Sequence, residues 1–287
     1  MTQSRLGIIA GAGELPKKLA AQTRTSGRPP FVLGIRGFAD PDFVASHEGE
    51  LVSIGEVGRH IDLLRSAGCT EVVFAGVVKR PDFSHLKLDM RGARLLPRVM
   101  AAAGKGDDAL LRVILGAFEE AGFKVVGADD VLADLLAPAG AIGRLTPTET
   151  DWLDIRHAAR VASVIGGLDV GQGAVSCGGL ILAVEAQEGT DQMLRRCADL
   201  PAEIRGTPEQ RRGVLVKRPK PNQELRIDLP TLGIETVRKV ELAGLSGIAV
   251  EAGKALLMNR QETAALADEL GVFLYGFTAE DLAGDGD

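Results

Sequence analysis

The sequence predicts an α/β protein with two domains. Short apolar runs alternate with segments that have the hydrophobic spacing of helices. In the first half the connections are short, and Glu71–Val78 is apolar nearly throughout, as expected for a parallel strand covered on both faces. A break containing Pro, Gly and Thr at residues 137–149 then predicts a linker. These observations predict a doubly wound first domain over residues 1–136 and a second α/β domain over residues 150–287.

The first domain is predicted to begin with a strand, a glycine turn and a helix. The turn is Gly11-Ala12-Gly13, and Pro16 suits the first turn of the helix. Two further helices with one apolar face end near Gly68 and Gly122. The predicted strands are Leu6–Ala10, Phe31–Ile35, Leu51–Ile54, Glu71–Val78 and Phe123–Gly127.

The second domain is predicted to alternate helices and strands less regularly. Its first strands form a pair around Gly178-Gly179, within residues 174–187. The other predicted strands are Gly213–Lys217, Gly247–Ala252 and Val272–Tyr275. The predicted helices are Asp151–Ile165, Asp191–Asp199, Leu232–Ala243 and Arg260–Leu270. The acidic end, Ala283–Asp287, is expected to be frayed.

The composition excludes several classes of protein. The 287 residues are 45% hydrophobic with a net charge of -6, so a mainly disordered chain is excluded. The three cysteines lie far apart, which indicates a reducing compartment rather than a disulfide framework or a structural zinc site. With four histidines and none spaced i, i+4, a bound metal is expected to be a hard cation on carboxylates. Aromatic residues make up 4%, which argues against a base-stacking nucleic-acid surface. No signal peptide or bilayer-spanning run is predicted.

The Gly11-Ala12-Gly13 turn has the position of a phosphate-binding loop. Backbone N–H groups between a strand and a helix N-terminus can hold an anion. The dinucleotide fingerprint GxGxxG is broken by Pro16, and the second strand leads into Gly34-Ile35-Arg36-Gly37 without the expected acidic residue. The sequence therefore leaves open a phosphate or sugar contact and a tight turn without ligand, and it argues against NAD.

Charged residues also follow later elements of the first domain. Lys79 and Arg80 come after the Glu71–Val78 run, at the end of a strand that faces the binding crevice in open α/β sheets. Lys105, Asp107 and Asp108 precede a strong helix. Helix capping by Asp107 or Asp108 is the alternative to a functional role.

The second domain contains the densest set of polar residues. Glu185, Glu188 and Asp191 follow a predicted strand, and Thr190 is a candidate N-cap that would direct free N–H groups at a ligand. Residues 195–220 contain eight Lys or Arg against three Asp or Glu, which suits an anionic ligand. Charged surface turns without function are the alternative.

Three prolines interrupt residues 217–231, which therefore predict a stiff irregular loop. Lys217, Lys220 and Arg226 suit phosphate oxygens. Asp228 or Glu224 suits Mg²⁺ or the activation of a water. Cations and carboxylates together in one loop predict metal-assisted phosphoryl chemistry. The alternative is a loop without function.

Seven motifs, in order along nearly the whole chain, resemble those of one family. They are GIIAGAGELP, FAGVVKRP, GDDALLR, LDVGQGAV, AVEAQEGTDQMLRR, VLVKRPKPNQELRIDLPTLGIETV and AGLSGIAVEAGKALL. The chain resembles the UDP-2,3-diacylglucosamine pyrophosphatases of lipid A biosynthesis, the type unrelated to calcineurin-like metallophosphoesterases. One departure is Glu224, which stands where relatives usually carry Asp.

The resemblance implies a Rossmann-like N-terminal domain, a C-terminal α/β domain of unusual topology and a substrate site between them. It implies Mg²⁺-dependent hydrolysis to UMP and 2,3-diacylglucosamine 1-phosphate, with water attacking the phosphorus nearer the sugar. The catalytic residues it implies are Asp228, Glu188 and Asp191, and the metal ligands are Asp228 and Glu185. The implied substrate-binding residues are Gly11, Ala12, Gly13, Leu15, Gly76, Lys79, Lys105, Asp107, Gln172, Thr190, Lys217, Lys220 and Gln223.

The resemblance also sets expectations for partners. A diacylated substrate implies transient contact with the inner face of the cytoplasmic membrane by a cytoplasmic, peripheral protein, without nucleic acid. A homodimer is a further expectation. Two rival functions are a non-catalytic lipid- or nucleotide-sugar-binding protein, which would return its ligand intact, and a nicotinamide-dependent oxidoreductase.

Overall fold

The computed structural model describes residues 5–80, 82–221, 223–227 and 229–283. The chain divides into two compact units, Met1–Ala133 and Asp134–Asp287. The prediction that residues 137–149 form a linker is wrong, because this segment is part of the second unit. Within it, Gly140–Ala141 forms a strand of the second unit, and Ala137 belongs to that unit's hydrophobic core with 1% of its surface exposed.

The first unit contains a five-stranded parallel sheet with the order β3-β2-β1-β4-β5. Its strands are β1 (Arg5–Ala10), β2 (Phe31–Ile35), β3 (Gly49–Val52), β4 (Cys69–Ala75) and β5 (Lys124–Val126). The central strands are buried along almost their whole length, which explains their uninterrupted apolar sequence. All five strands predicted from the sequence are present, although β3 begins and ends two residues earlier than predicted.

Helices connect these strands, as in a doubly wound fold. They are α1 (Leu15–Thr25), α2 (Pro41–Ala45), α3 (Val57–Ser66), α4 (Met90–Ala103), α5 (Asp107–Glu120) and α6 (Ala128–Val131). Pro16 lies in the first turn of α1, as predicted. Strand β4 ends three residues earlier than expected, because Gly76 turns the chain with a φ of +90°.

The second unit contains a six-stranded mixed sheet with the order β6-β13-β11-β9-β7-β8. Its strands are β6 (Gly140–Ala141), β7 (Gly173–Cys177), β8 (Leu180–Val184), β9 (Val214–Lys217), β11 (Gly247–Glu251) and β13 (Phe273–Phe277). A separate parallel pair is formed by β10 (Thr231–Leu232) and β12 (Leu256–Leu257). Strands β8, β9, β11 and β13 run in one direction, so their carboxyl ends lie along the same edge of the sheet.

Helices cover both faces of this sheet. They are α7 (Glu149–Gly167), α8 (Gly189–Ala198), α9 (Ala202–Arg205), α10 (Ile234–Leu242), α11 (Arg260–Glu269) and α12 (Ala279–Ala283). Along β9, Val214 and Val216 pack in the same core as α7, while Leu215 packs in the core that contains α8 and α10 residues. This alternation explains why β9 is apolar throughout until Lys217. In the described part of the chain, no helix has the length and apolar character needed to cross a bilayer.

Candidate active site

The glycine turn of the first unit is packed against the last residue of β4 and the residues that follow it. The amide of Gly11 donates to the Ala75 carbonyl at 2.8 Å, and the amide of Ala12 donates to the Val77 carbonyl at 2.9 Å. These two amides are engaged by backbone and do not point at a ligand, contrary to the anion-cradle interpretation. Gly13 is exposed with a φ of +101°.

Glycine is required at two positions of this contact. A Cβ on Gly11 would lie 2.7 Å from the Val77 carbonyl oxygen, and a Cβ on Gly76 would lie 2.6 Å from the Ala12 carbonyl oxygen. The glycines of the turn and of the β4 end therefore allow two stretches of backbone to meet.

The other predicted site residues of the first unit are dispersed. Leu15 is the first residue of α1, and Lys79 and Lys105 are exposed. The Asp107 carboxylate lies 3.5 Å from the Arg80 guanidinium. The N-cap of α5 is Gly106, so neither Asp107 nor Asp108 caps this helix; both lie in its first turn.

In the second unit, the carboxyl end of β9 brings a lysine into the protein interior. Lys217 is the last residue of β9, pairs in register with Gly173 of β7, and has 4% of its surface exposed. Its Nζ donates to Thr190 Oγ1 at 2.7 Å and to the Thr231 carbonyl at 3.4 Å. In the residues that the structure describes, no carboxylate lies within 4.0 Å of this ammonium group.

Thr190 connects Lys217 to a buried carboxylate. The Thr190 hydroxyl donates to Glu185 Oε1 at 2.6 Å, and Glu185 has 6% of its surface exposed. We refer to Lys217, Thr190 and Glu185 as the Lys–Thr–Glu bridge. The N-cap of α8 is Glu188, so the prediction of Thr190 as N-cap is wrong; its hydroxyl forms the bridge and does not cap the helix.

The bridge depends on two glycines beside Glu185. A Cβ on Gly171 would lie 2.0 Å from the Glu185 carbonyl oxygen, and a Cβ on Gly173 would lie 2.9 Å from Glu185 Oε2. Only glycine lets the β7 end approach Glu185 this closely.

The beginning of the 217–231 loop is fixed by side chains. Gln223, with 7% exposed, accepts a hydrogen bond from the Lys220 amide at 2.7 Å and donates to Gln172 Oε1 at 3.3 Å. The Lys220 ammonium lies 2.5 Å from Asp169 Oδ1. Asp169, which the sequence did not suggest, adopts a φ of +56°, a conformation that Asp tolerates better than most residues.

The remaining acidic candidates in the described part of the second unit form ion pairs with basic side chains. Glu188 pairs with Arg196, and Asp191 lies 2.5 Å from Lys239 of α10. A hydrogen bond from its own amide, together with Arg196, lowers the pKa of Glu188. Glu224 forms a bidentate ion pair with Arg226. The predicted catalytic Asp228 lies outside the described residues.

The described residues contain neither a metal-binding cluster nor a thiol with a lowered pKa. No three His, Cys, Asp or Glu side chains come together there in a group that could hold a metal ion. The three cysteines are buried and unpaired, and burial raises the pKa of Cys69 and of Cys197 to about 11. They are therefore poor nucleophiles near neutral pH.

Comparison with known proteins matches both units. Residues 5–135 match the LpxI N-terminal domain, and residues 138–275 match the LpxI C-terminal domain. Two solved structures also match, a CobK precorrin-6A reductase and a nucleoside-diphosphate-sugar epimerase from Pseudomonas aeruginosa. Their identities are 12% and 14%, and they cover 96% and 94% of this chain and 88% and 85% of their own. Their TM-scores of 0.34 and 0.30 are too low to support any argument.

A curated relative extends the match over nearly the full length. The UDP-2,3-diacylglucosamine pyrophosphatase LpxI of Caulobacter vibrioides is 51% identical over 272 residues, which cover 95% of this chain and 97% of the relative. With both domain models matched in order and this identity throughout, the chain belongs to the LpxI family.

Proposed function

We propose that the protein hydrolyses the pyrophosphate of UDP-2,3-diacylglucosamine to UMP and 2,3-diacylglucosamine 1-phosphate. The family, and the activity in the name of the 51% identical relative, support this reaction class, a hydrolysis of a phosphoric anhydride. The two acyl chains of the substrate support transient contact with the inner face of the cytoplasmic membrane and a peripheral, cytoplasmic location. A homodimer remains a prediction.

The observation that carries the proposal is the buried ammonium group of Lys217. Two hydrogen bonds engage its Nζ in the described part of the chain, and an ammonium group has three donors. The remaining donor is available to a phosphate oxygen. In a site shielded from water, such a contact stabilises developing negative charge more than it would in solution.

In the proposed reaction, water attacks the phosphorus nearer the sugar. The new P–O bond forms as the bond to the bridging oxygen breaks, and that oxygen leaves with UMP. Lys217 stabilises the charge on the phosphates. Asp228, at the far end of the 217–231 loop, is proposed to accept the proton of the attacking water or to hold the metal.

Mg²⁺ is proposed as the metal ion, because it usually binds through one or two carboxylates together with substrate phosphates. Among the described residues, no group of three or more His, Cys, Asp or Glu side chains could hold a metal ion, so the proposal assigns the ion to Asp228 together with the substrate phosphates. The chemistry that Mg²⁺ supplies when bound is neutralisation of phosphate charge and orientation of a water.

The test is UMP release from UDP-2,3-diacylglucosamine by the purified protein, with Mg²⁺ and with a chelator. We expect release that the chelator abolishes. In ¹⁸O-labelled water, the label should enter 2,3-diacylglucosamine 1-phosphate and not UMP. Label in UMP would refute the proposed site of attack. Substrate that binds and is recovered intact would instead favour the non-catalytic binding protein.

A further inference from the structure

The direction of both hydrogen bonds in the Lys–Thr–Glu bridge is determined by chemistry. An ammonium group can only donate, so Thr190 Oγ1 accepts from Lys217. The single hydroxyl proton of Thr190 is then directed to Glu185 Oε1, 2.6 Å away. One hydroxyl therefore connects a buried cation to a buried carboxylate that is not in direct contact with it.

Glu185 is poorly placed to bind a metal. Its Oε1 accepts the Thr190 hydroxyl, and its Oε2 is buried without a hydrogen-bond partner among the described residues. A Cβ on Gly173 would lie 2.9 Å from that Oε2 and 3.6 Å from the Met193 methyl group, so the second oxygen faces the packed interior. A carboxylate that binds an ion together with substrate phosphates needs an oxygen directed at that ion.

Lys217 and Glu185 each require the other. A buried charge without compensation carries a large desolvation penalty, and removing one partner of a buried pair leaves the other exposed to that penalty. In the described residues, the route from Lys217 to a carboxylate passes through Thr190. A hydroxyl bridge also fixes the direction of the ammonium group better than a flexible ion pair would.

We propose that Thr190 and Glu185 are positioning residues for Lys217, and that Glu185 is its buried counter-charge and not a metal ligand. This inference rests on the proposed function. Thr190 holds Nζ in place and leaves one N–H free for substrate phosphate, while Glu185 offsets the cost of burying the cation. The expectation that Glu185 binds the metal is replaced by this role.

The test compares Thr190→Val, which keeps the shape of the side chain and removes both hydrogen bonds, with Thr190→Ser, which keeps them. We expect Thr190→Val to lower kcat for UMP release by roughly ten- to a hundredfold, with KM within about threefold. Thr190→Ser should restore kcat to within about threefold. Thr263→Val is the matched control, because Thr263 is buried in the same unit and donates to the Met258 carbonyl at 2.7 Å. It should leave the kcat of the folded protein unchanged.

Glu185→Gln tests the second half of the inference and remains informative if Thr190→Val does not fold. We expect a lower kcat, with an unchanged Mg²⁺ concentration for half-maximal rate and unchanged Mn²⁺ binding by electron paramagnetic resonance. A tenfold loss of metal affinity would identify Glu185 as a ligand and overturn the inference. Full activity of Thr190→Val would also overturn it, while leaving the proposed function intact. A wild-type protein that releases no UMP would refute the proposed function and this inference together.

Discussion

The two units bury different kinds of polar side chain. In the described residues of the first unit, the buried polar side chains are Thr23 and His60. The second unit buries the carboxylates of Asp151, Asp154 and Glu185 and the ammonium group of Lys217. Asp151 and Asp154 serve local structure, at the N-terminus of α7 and at the β7–β8 turn. Lys217 and Glu185 instead lie in the Lys–Thr–Glu bridge, where Thr190 joins the buried cation to the buried carboxylate.

Glycine also has a different use in the two units. At the Gly11 turn, Gly11 and Gly76 bring backbone against backbone, and the amides expected to hold an anion bond to carbonyls. At the start of β7, Gly171 brings backbone against the Glu185 carbonyl, and Gly173 brings backbone against the Glu185 carboxylate. A glycine-rich turn after a strand therefore does not by itself indicate a phosphate site. The groups that the glycines contact must also be known before a site is assigned.

Gly171→Ala should give the largest loss of stability. The new Cβ would lie 2.0 Å from a carbonyl oxygen of the backbone, so the β7 end and Glu185 must separate. We expect the free energy of unfolding to fall by about 3 kcal/mol, together with a loss of activity, measured by urea denaturation and UMP release. Gly167→Ala is the control, because its Cβ meets nothing within 4 Å. Equal stability of the two variants would contradict the close packing at Glu185.

Gly76→Ala should lower stability by about 2 kcal/mol, through its positive φ and its clash with the Ala12 carbonyl. Gly13→Ala is the matched variant, since Gly13 also has a positive φ but open space at Cβ. We expect it to cost about 1 kcal/mol. A larger loss of stability for Gly13→Ala than for Gly76→Ala in urea denaturation would show that packing of the turn against the end of β4 does not explain why Gly76 is a glycine.

The smallest predicted effect is the contribution of His60 to the pH dependence of the free energy of unfolding. Its Nε2 donates to the Ser53 carbonyl at 3.1 Å, its Nδ1 is buried without a partner in the described residues, and burial lowers its pKa. As the pH falls below the ordinary histidine pKa of about 6.5, the unfolded chain takes up the proton first, and stability decreases until the lowered pKa is reached.

We expect wild type to lose about 1 kcal/mol of unfolding free energy between about pH 7.5 and 5.5 through this group. The loss should be smaller in His60→Gln and unchanged in His85→Gln, whose side chain is exposed. Identical pH profiles of wild type and His60→Gln in urea denaturation would show that His60 is not held neutral.

Most strands could be predicted from the sequence because their apolar runs are buried on both faces. Val77 and Val78 were included in β4 wrongly, since apolar residues can follow a turn such as the one at Gly76; Val77 is 64% exposed. Helix α4 was not predicted, and it contains Pro97, which ordinarily argues against a helix interior. Strand β6 has two residues, too few for a pattern.

The sequence was sufficient to predict which residues belong to the candidate site, but not how their side chains are connected. Lys217, Thr190 and Glu185 each stood out beside strand ends, but their connection depends on strand order and on the register that places Gly173 opposite Lys217. Asp169 was missed because its partner, Lys220, lies 51 residues later and no local motif links them.

The central claim is that the buried Lys217 meets the substrate phosphates. Its most direct test is kcat/KM for UMP release by Lys217→Met, which keeps the length and apolar stem of the side chain. Lys254→Met, on an exposed lysine paired with Glu251, is the control. We predict a loss of roughly a hundred- to a thousandfold for Lys217→Met and none for Lys254→Met. A folded Lys217→Met protein with kcat/KM within about threefold of wild type would contradict the claim.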